Sequence, residues 1–164
     1  MNTQNEKILT ILPNLSKKKG FFSLRRDNYT LVVTEQRLIF ARLSKALYKK
    51  QIADVKAIME KNKKNKVGFL SSMADRMTAY SNWFQRYYDM SIEEIISETS
   101  DNIVIEKSDI ITLKVLQFME VNEDSFQGKT RVPLLIIKTK TDKYKFVFSN
   151  NYNSAGIKIL EHWH

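Results

Sequence analysis

A chain of 164 residues with 43% hydrophobic content suits one domain with a buried core, and the absence of any Cys excludes disulfides and thiolate metal sites. No run of 18 or more apolar residues is present, as a membrane-spanning helix would require. The formal charge of +9 is unevenly spread: residues 1–66 carry a net +11, residues 67–128 a net −7 and residues 129–164 a net +5.

Such asymmetry predicts either a molecule with one basic side that attracts an anionic surface, or basic and acidic segments that neutralise each other inside the fold. The opening MNTQNEKILT has no apolar core segment or small-residue cleavage site, so no signal peptide is expected. Together with the lack of Cys, that fits a cytoplasmic protein, free or peripheral to a membrane.

The first strand signal is Gly20–Arg26, GFFSLRR, preceded by Lys17, Lys18 and Lys19 and followed by an Asp27-Asn28 turn pair. Tyr29–Thr34 and Gln36–Leu43 are two further β-rich runs. Between them the polar Thr34-Glu35-Gln36 step reverses the chain. In the second run Leu38 and Phe40 share one face, while Ile39, Ala41 and Leu43 share the other.

From Ser44 the period changes. Tyr48, Ile52, Val55 and Met59 form one helical stripe, and Leu70, Met73, Met77, Tyr80, Phe84 and Tyr87 form a longer one. Gly68, with Ser72 and Asp75 as a capping pair, separates them into two antiparallel helices. Ser91 followed by Glu94 caps a short third helix, SIEEIISE.

Strands then return. In NIVIEKSDIITLKVLQFME, Leu113, Val115 and Gln117 alternate with Thr112, Lys114, Leu116 and Phe118. VNEDSFQGKT is an acidic connection, and RVPLLIIKTKTDKYKFVFSN reads as a hairpin about Thr141-Asp142, with Tyr144, Phe146 and Phe148 on one face of its second arm. A last helix places Ile157, Leu160 and His164 on one side, with Ile159 and Trp163 adjoining; an interior Gly156 costs it up to about 1 kcal/mol, so packing must hold it.

Three strands, a helical block, about four strands and a terminal helix resemble the plan of the pleckstrin-homology-like (PH-like) barrel. LVVTEQRLIF resembles the L-x-x-T-x-x-R-L-I-F hairpin of prokaryotic PH-like and GRAM-type domains through Leu31, Thr34, Arg37, Leu38, Ile39 and Phe40. The resemblance implies an α+β, mainly β, single domain. Its barrel of about seven antiparallel strands comes from residues 1–43 and 99–164, and residues 44–98 are a helical insertion between strands three and four. It also implies a binding module rather than an enzyme, without a cofactor. Lys17, Lys18, Lys19, Arg25 and Arg26 are the basic residues around the first strand, although they do not reproduce the lipid-binding K-x-K/R-x-R order.

Catalytic and metal constellations are poorly supplied. His162 and His164, next to Glu161, offer imidazole and carboxylate, but residues two apart on a helix point roughly 200° apart; a solvated tail is the ordinary reading. Glu93 and Glu94 suit a helix N-terminus better than acid–base work. No phosphate-cradling glycine motif occurs.

The aromatic stripe at Tyr80, Trp83, Phe84, Tyr87 and Tyr88 fits burial or a homodimer interface more simply than base stacking. Lys49, Lys56 and Lys63, within a lysine-rich helix, either face solvent or lie on an anionic membrane. The expected partner is a protein or an anionic lipid surface. Nucleic-acid binding, or a homodimer through Leu70, Met73, Met77, Tyr80, Phe84 and Tyr87, are the alternatives.

Overall fold

The computed structural model describes residues 6–18, 26–63, 78–80, 82–121, 129–149 and 153–163, and of residues 18, 61–63, 117–121 and 129–131 the backbone. By its contacts the chain divides into two compact units, residues 1–42 with 91–164, and residues 43–90. The first unit holds seven strands: β1 Ile8–Lys18, β2 Arg26–Thr34, β3 Arg37–Arg42, β4 Ile103–Glu106, β5 Ile110–Val121, β6 Lys129–Thr139 and β7 Lys143–Phe148. They form one antiparallel sheet in the order β4-β3-β2-β1-β7-β6-β5.

The first strand is not where sequence patterning places it. Of the expected run Gly20–Arg26, residues 20–25 lie outside the described residues and Arg26 opens β2, while β1 occupies Ile8–Lys18. Pro13 hides it, because proline cannot donate to a sheet ladder and argues against a strand. The structure accommodates it with a bulge. Leu12 pairs with Leu31 and Leu15 with Tyr29, so β1 carries one residue more than β2 between the two pairs, and Asn14 takes a left-handed φ of 63°. Lys17 and Lys18 therefore belong to β1 itself.

The turn between β2 and β3 is a buried polar knot. Thr34 Oγ1 accepts the amides of Gln36 at 3.3 Å and Arg37 at 2.9 Å, closing the reversal that the sequence predicts. The same hydroxyl lies against Glu6 Oε1 and the Arg37 carbonyl. The Arg37 guanidinium pairs with Glu6 at 3.0 Å and with Glu106 at 3.4 Å, and the Glu6 side chain is only 1% exposed. Trp163 Nε1 donates to the Thr34 carbonyl, and Lys107 N donates to Gln36 O at 2.8 Å. Three distant pieces of chain thus meet at one turn.

All seven strands contribute to one apolar cluster, which includes Leu15, Leu31, Phe40, Leu113, Leu135 and Phe146. Phe40 of β3 and Phe146 of β7 stack 4.0 Å apart with 7° between their planes. Those strands lie three places apart in the ladder, a separation of roughly 14 Å if the sheet were flat. The sheet therefore curls until its two arms face each other across the core.

Curling stops short of closure. β4 and β5, the outermost strands, are consecutive in the chain but share no ladder, so the expected barrel is an open sheet. The backbone of the intervening 3₁₀ turn, Lys107–Asp109, is committed elsewhere: Lys107 N to the β2–β3 turn, and Asp109 O to Lys140 N of the β6–β7 turn.

Helix α2, Ile92–Ser97, packs on β3 with Ile92 and Ile95 buried, which explains why Ile39 and Ala41 are as buried as Leu38 and Phe40. Its capping box is present as the sequence predicts: Glu94 N donates to Ser91 Oγ at 3.2 Å, and Ser91 N donates to Glu94 Oε2 at 2.7 Å. By contacts α2 belongs with the sheet, although sequence reading groups it with the helical segment 44–98. Helix α3, Ser154–Glu161, buries Ile157 and Leu160 against the core. A Cβ on Gly156 would meet Leu12 Cδ2 at 2.6 Å and Thr10 Oγ1 at 2.9 Å, so close approach to β1 is what this glycine permits.

The second unit contains helix α1, Lys45–Lys63, and a 3₁₀ helix, Trp83–Asp89. The buried face of α1 is Leu47, Gln51 and Val55, while Tyr48 and Ile52, expected inside, are 49% and 38% exposed. The shift follows from Trp83, whose Nε1 donates to Asp54 Oδ2 at 3.1 Å and so lies beside the strip that runs through 47, 51, 54 and 55. Residues 83–89 are 3₁₀ rather than the expected α-helix. A three-residue repeat places Phe84 and Tyr87 on one edge as an α-helix nearly does, so spacing could not separate the two. The expected helix-separating Gly68, the Ser72–Asp75 cap and most of the acidic 121–130 connection lie outside the described residues.

Two substitutions test this account. Arg37→Met leaves the Glu6 carboxylate buried without its cation, and urea unfolding is expected to show a loss of about 3–5 kcal/mol, partly recovered when Glu6→Gln is added. Gly156→Ala gains helix propensity but forces Leu12 and Thr10 aside, for a net loss of about 1–2 kcal/mol in the same measurement.

Candidate functional site

Of the basic residues singled out in the sequence, the structure describes Lys17, Arg26, Lys49 and Lys56 with their side chains and Lys18 and Lys63 in backbone. Lys17 is half-buried near the end of β1, and its amine sits 5.1 Å from the Tyr144 ring centroid and 5.9 Å from that of Phe146. That is a cation–π cap on the open end of the core rather than an outward-facing charge. Lys18 pairs in register with Arg26, which opens β2 and is exposed. Lys19 and Arg25 lie outside the described residues.

Lys49 and Lys56 are exposed on α1, and Lys63 is its last residue. Of the stripe considered for an interface, Phe84 and Tyr87 are buried within residues 43–90 and Tyr80 is half-buried; Leu70, Met73 and Met77 lie outside the described residues. Arg86 stacks over Trp83 and Tyr87, 4.1 and 4.4 Å from their centroids. His162, considered for a metal, sits 2.7 Å from Lys158 O through Nδ1.

Sequence reading misses a more regular arrangement on β5–β7. Alternation puts Leu113, Leu135, Ile137 and Phe146 into the core, so Lys114, Ile136, Lys138, Lys143 and Lys145 occupy the opposite face. Register aligns them: Lys114 is opposite Ile136, which is opposite Lys145, while Lys138 is opposite Lys143. Four exposed ammonium groups thus form a lattice two strand rows deep, with Leu116, 46% exposed, beside it. Within 112–116, 132–138 and 143–147 this face carries no carboxylate; Asp109, at the neighbouring turn, is 3.2 Å from Lys140. Cross-strand like charges cost stability, so the lattice is paid for elsewhere in the fold. The signal in the sequence is the K-x-K spacing at 143–145, which alternates with Tyr144, Phe146 and Phe148.

The same outer face continues across β7 to β1 and β2, since Val147 pairs with Ser16 and Ser16 with Asn28. There the β1 bulge opens a cavity of about 320 Å³ lined by Asn14, Ser16, Arg26, Asn28, Phe148 and Ser149. Among the described residues its polar lining holds one cation, Arg26, and no carboxylate. Ser149 Oγ is buried and has no hydrogen-bond partner among the described residues, which costs on the order of 1–3 kcal/mol. Asp27, beside Arg26 in sequence, alternates to the other face, where Arg42 holds it at 2.9 Å; Arg42 also contacts Asp101.

The first surface presents exposed ammonium groups, and the second presents a guanidinium beside amide and hydroxyl groups. Among the described residues no helix is long and apolar enough to cross a membrane. No family model, curated protein or solved structure matches the chain.

Two phenols report on the electrostatics around the core. Burial pushes Tyr29 above its ordinary value, with Asp27 adding to the shift and Arg42 opposing it; burial and then the Asp142 carboxylate raise Tyr144. Each holds its proton more tightly folded than unfolded. Their contribution to stability is therefore complete below about pH 10 and is lost as pH rises through the raised values. Tyr29→Phe is expected to flatten the alkaline fall in stability and to remove a late step from the ultraviolet phenolate titration.

Proposed function

We propose that this chain is a non-enzymatic binding module on the PH-like plan, with residues 44–98 as an insertion, and that it docks on an anionic membrane surface from the cytoplasmic side. Three features support the plan: a sheet of seven antiparallel strands curled round one core, a C-terminal helix packed on that core, and the Thr34–Arg37 hairpin at its centre.

The observation that carries the membrane reading is the lysine lattice of Lys114, Lys138, Lys143 and Lys145 with an exposed apolar neighbour, Leu116. Basic groups near an anionic bilayer contribute about 1 kcal/mol each. Helix α1 adds a second element of the same character, since Tyr48 and Ile52 are exposed beside Lys45, Lys49 and Lys56. A lysine face with apolar residues suits a lipid surface better than base readout, which needs stacking aromatics; Trp83, Phe84 and Tyr87 are buried.

Vesicle co-sedimentation tests the reading. The protein is expected to bind vesicles containing phosphatidylserine and not neutral phosphatidylcholine, with affinity falling as salt rises. Changing all four lysines to Gln removes about 4 kcal/mol, roughly a thousandfold at low salt. Equal binding by that variant overturns the assignment of the face. Failure to bind vesicles at low salt, beside a positive oligonucleotide shift or an acidic protein partner, overturns the membrane.

A further inference from the structure

We infer that the outer face of β5–β7 enters the bilayer interface by its Leu116 end, so that its ligand is a loosely packed anionic bilayer rather than a lipid headgroup alone. The inference deepens the membrane reading and rests on it. Register arranges the outward residues of the three strands in cross-strand rows. Thr112, Lys138 and Lys143 form the row nearest the β6–β7 turn, Lys114, Ile136 and Lys145 the next, and Leu116, Leu134 and Val147 the third. Lysines number two, two and none from the first row to the third, while aliphatic side chains rise from none to one to three. The face is therefore amphipathic along the strands: charged towards the turn and apolar at the far end.

Dimensions favour a tilted pose. Rows two residues apart along a strand are separated by about 7 Å, and the headgroup layer of one leaflet is about 5–8 Å thick. With the Leu116 end lowest, the third row reaches the acyl boundary while the second stays among the headgroups. Long lysine stems let the ammonium groups of the first row bend towards the same phosphates. The apolar row is available for this, since Leu116 is 46% exposed and Leu134 and Val147 are half-buried, on the side of the sheet away from its core. A soluble anion would neutralise the lysines and leave Leu116 in water. An anionic bilayer matches both halves of the face, by charge at one end and by apolar burial at the other.

The chain has no Cys, so a single introduced thiol carries an environment-sensitive label at one chosen position. Leu116→Cys and Thr141→Cys, both at exposed positions, place that label in the apolar row and at the β6–β7 turn. On phosphatidylserine vesicles the label at 116 is expected to shift to shorter wavelength and to be quenched by lipids spin-labelled on the acyl chain. The label at 141 is expected to keep its spectrum in water. Leu116→Ser is expected to weaken vesicle binding roughly tenfold without changing its salt dependence, because every lysine is kept. At equal surface charge, small vesicles of unsaturated lipid are expected to bind more protein than large vesicles of saturated lipid.

Two kinds of failure are distinguishable. Vesicle binding with no acyl-chain quenching at 116, with deeper quenching at 141, or with full affinity in Leu116→Ser leaves the membrane reading standing and overturns the insertion. Displacement from the vesicles by millimolar glycerophosphoserine does the same, and assigns the face to a headgroup. No vesicle binding at low salt overturns both, and a spectral shift at 116 on adding an acidic protein then assigns the face to that partner.

Discussion

The Arg37 guanidinium, held between Glu6 and Glu106 beneath the β2–β3 turn, is the interaction on which the arrangement of the sheet depends. A cation so little exposed is costly to desolvate, and only its two carboxylates and the Thr34 hydroxyl network make the site tolerable. That requirement fixes geometry: the segment before β1 must approach the turn, β4 must run beside β3 to deliver Glu106, and Trp163 must reach the Thr34 carbonyl after α3. Lys107 closes the same corner, with its amide on Gln36 and its amine 4.9 Å from the Trp163 ring centroid. An ion pair adds little net stability, but it selects one register and one set of neighbours from those an apolar sheet could adopt.

With that corner held, the rest of the sheet curls to bury its apolar face. The stacking of Phe40 on Phe146, from strands three apart in the ladder, records how far it bends. Bending has a second consequence. Residues that alternate away from the core on β5–β7 are turned outward together, and they are predominantly lysine and aliphatic. The surface assigned to binding is thus the reverse side of the core, positioned by the same pleat. The β1 bulge belongs to the same economy, since the residue that spoils the strand also opens the cavity beside it.

The helical unit follows a different logic. Trp83, Phe84 and Tyr87 are consumed by its interior, and Asp54 satisfies the indole of Trp83. Aromatic residues that invite a recognition role in the sequence are therefore structural. The side chains α1 leaves exposed, Tyr48 and Ile52 among lysines, were assigned to its interior by spacing alone.

What the sequence determined by itself was local. The Thr34 reversal, the Ser91–Glu94 cap, the alternation of Tyr144, Phe146 and Phe148, and the buried side of α3 all follow from interactions within a few residues, and all stand in the structure. Much of the candidate site was not legible, because it is made by register between strands brought together only in the sheet: Lys114 and Lys145 share a row, with one strand between them, only once Ile136 pairs with both. Likewise β1 was masked by Pro13, whose cost vanishes only when a neighbouring strand permits a bulge, and the buried side of α1 was set by where Trp83 meets it. Short-range periodicity names the faces an element has. Only tertiary packing decides which face is covered, because burial depends on a partner whose position no local pattern encodes.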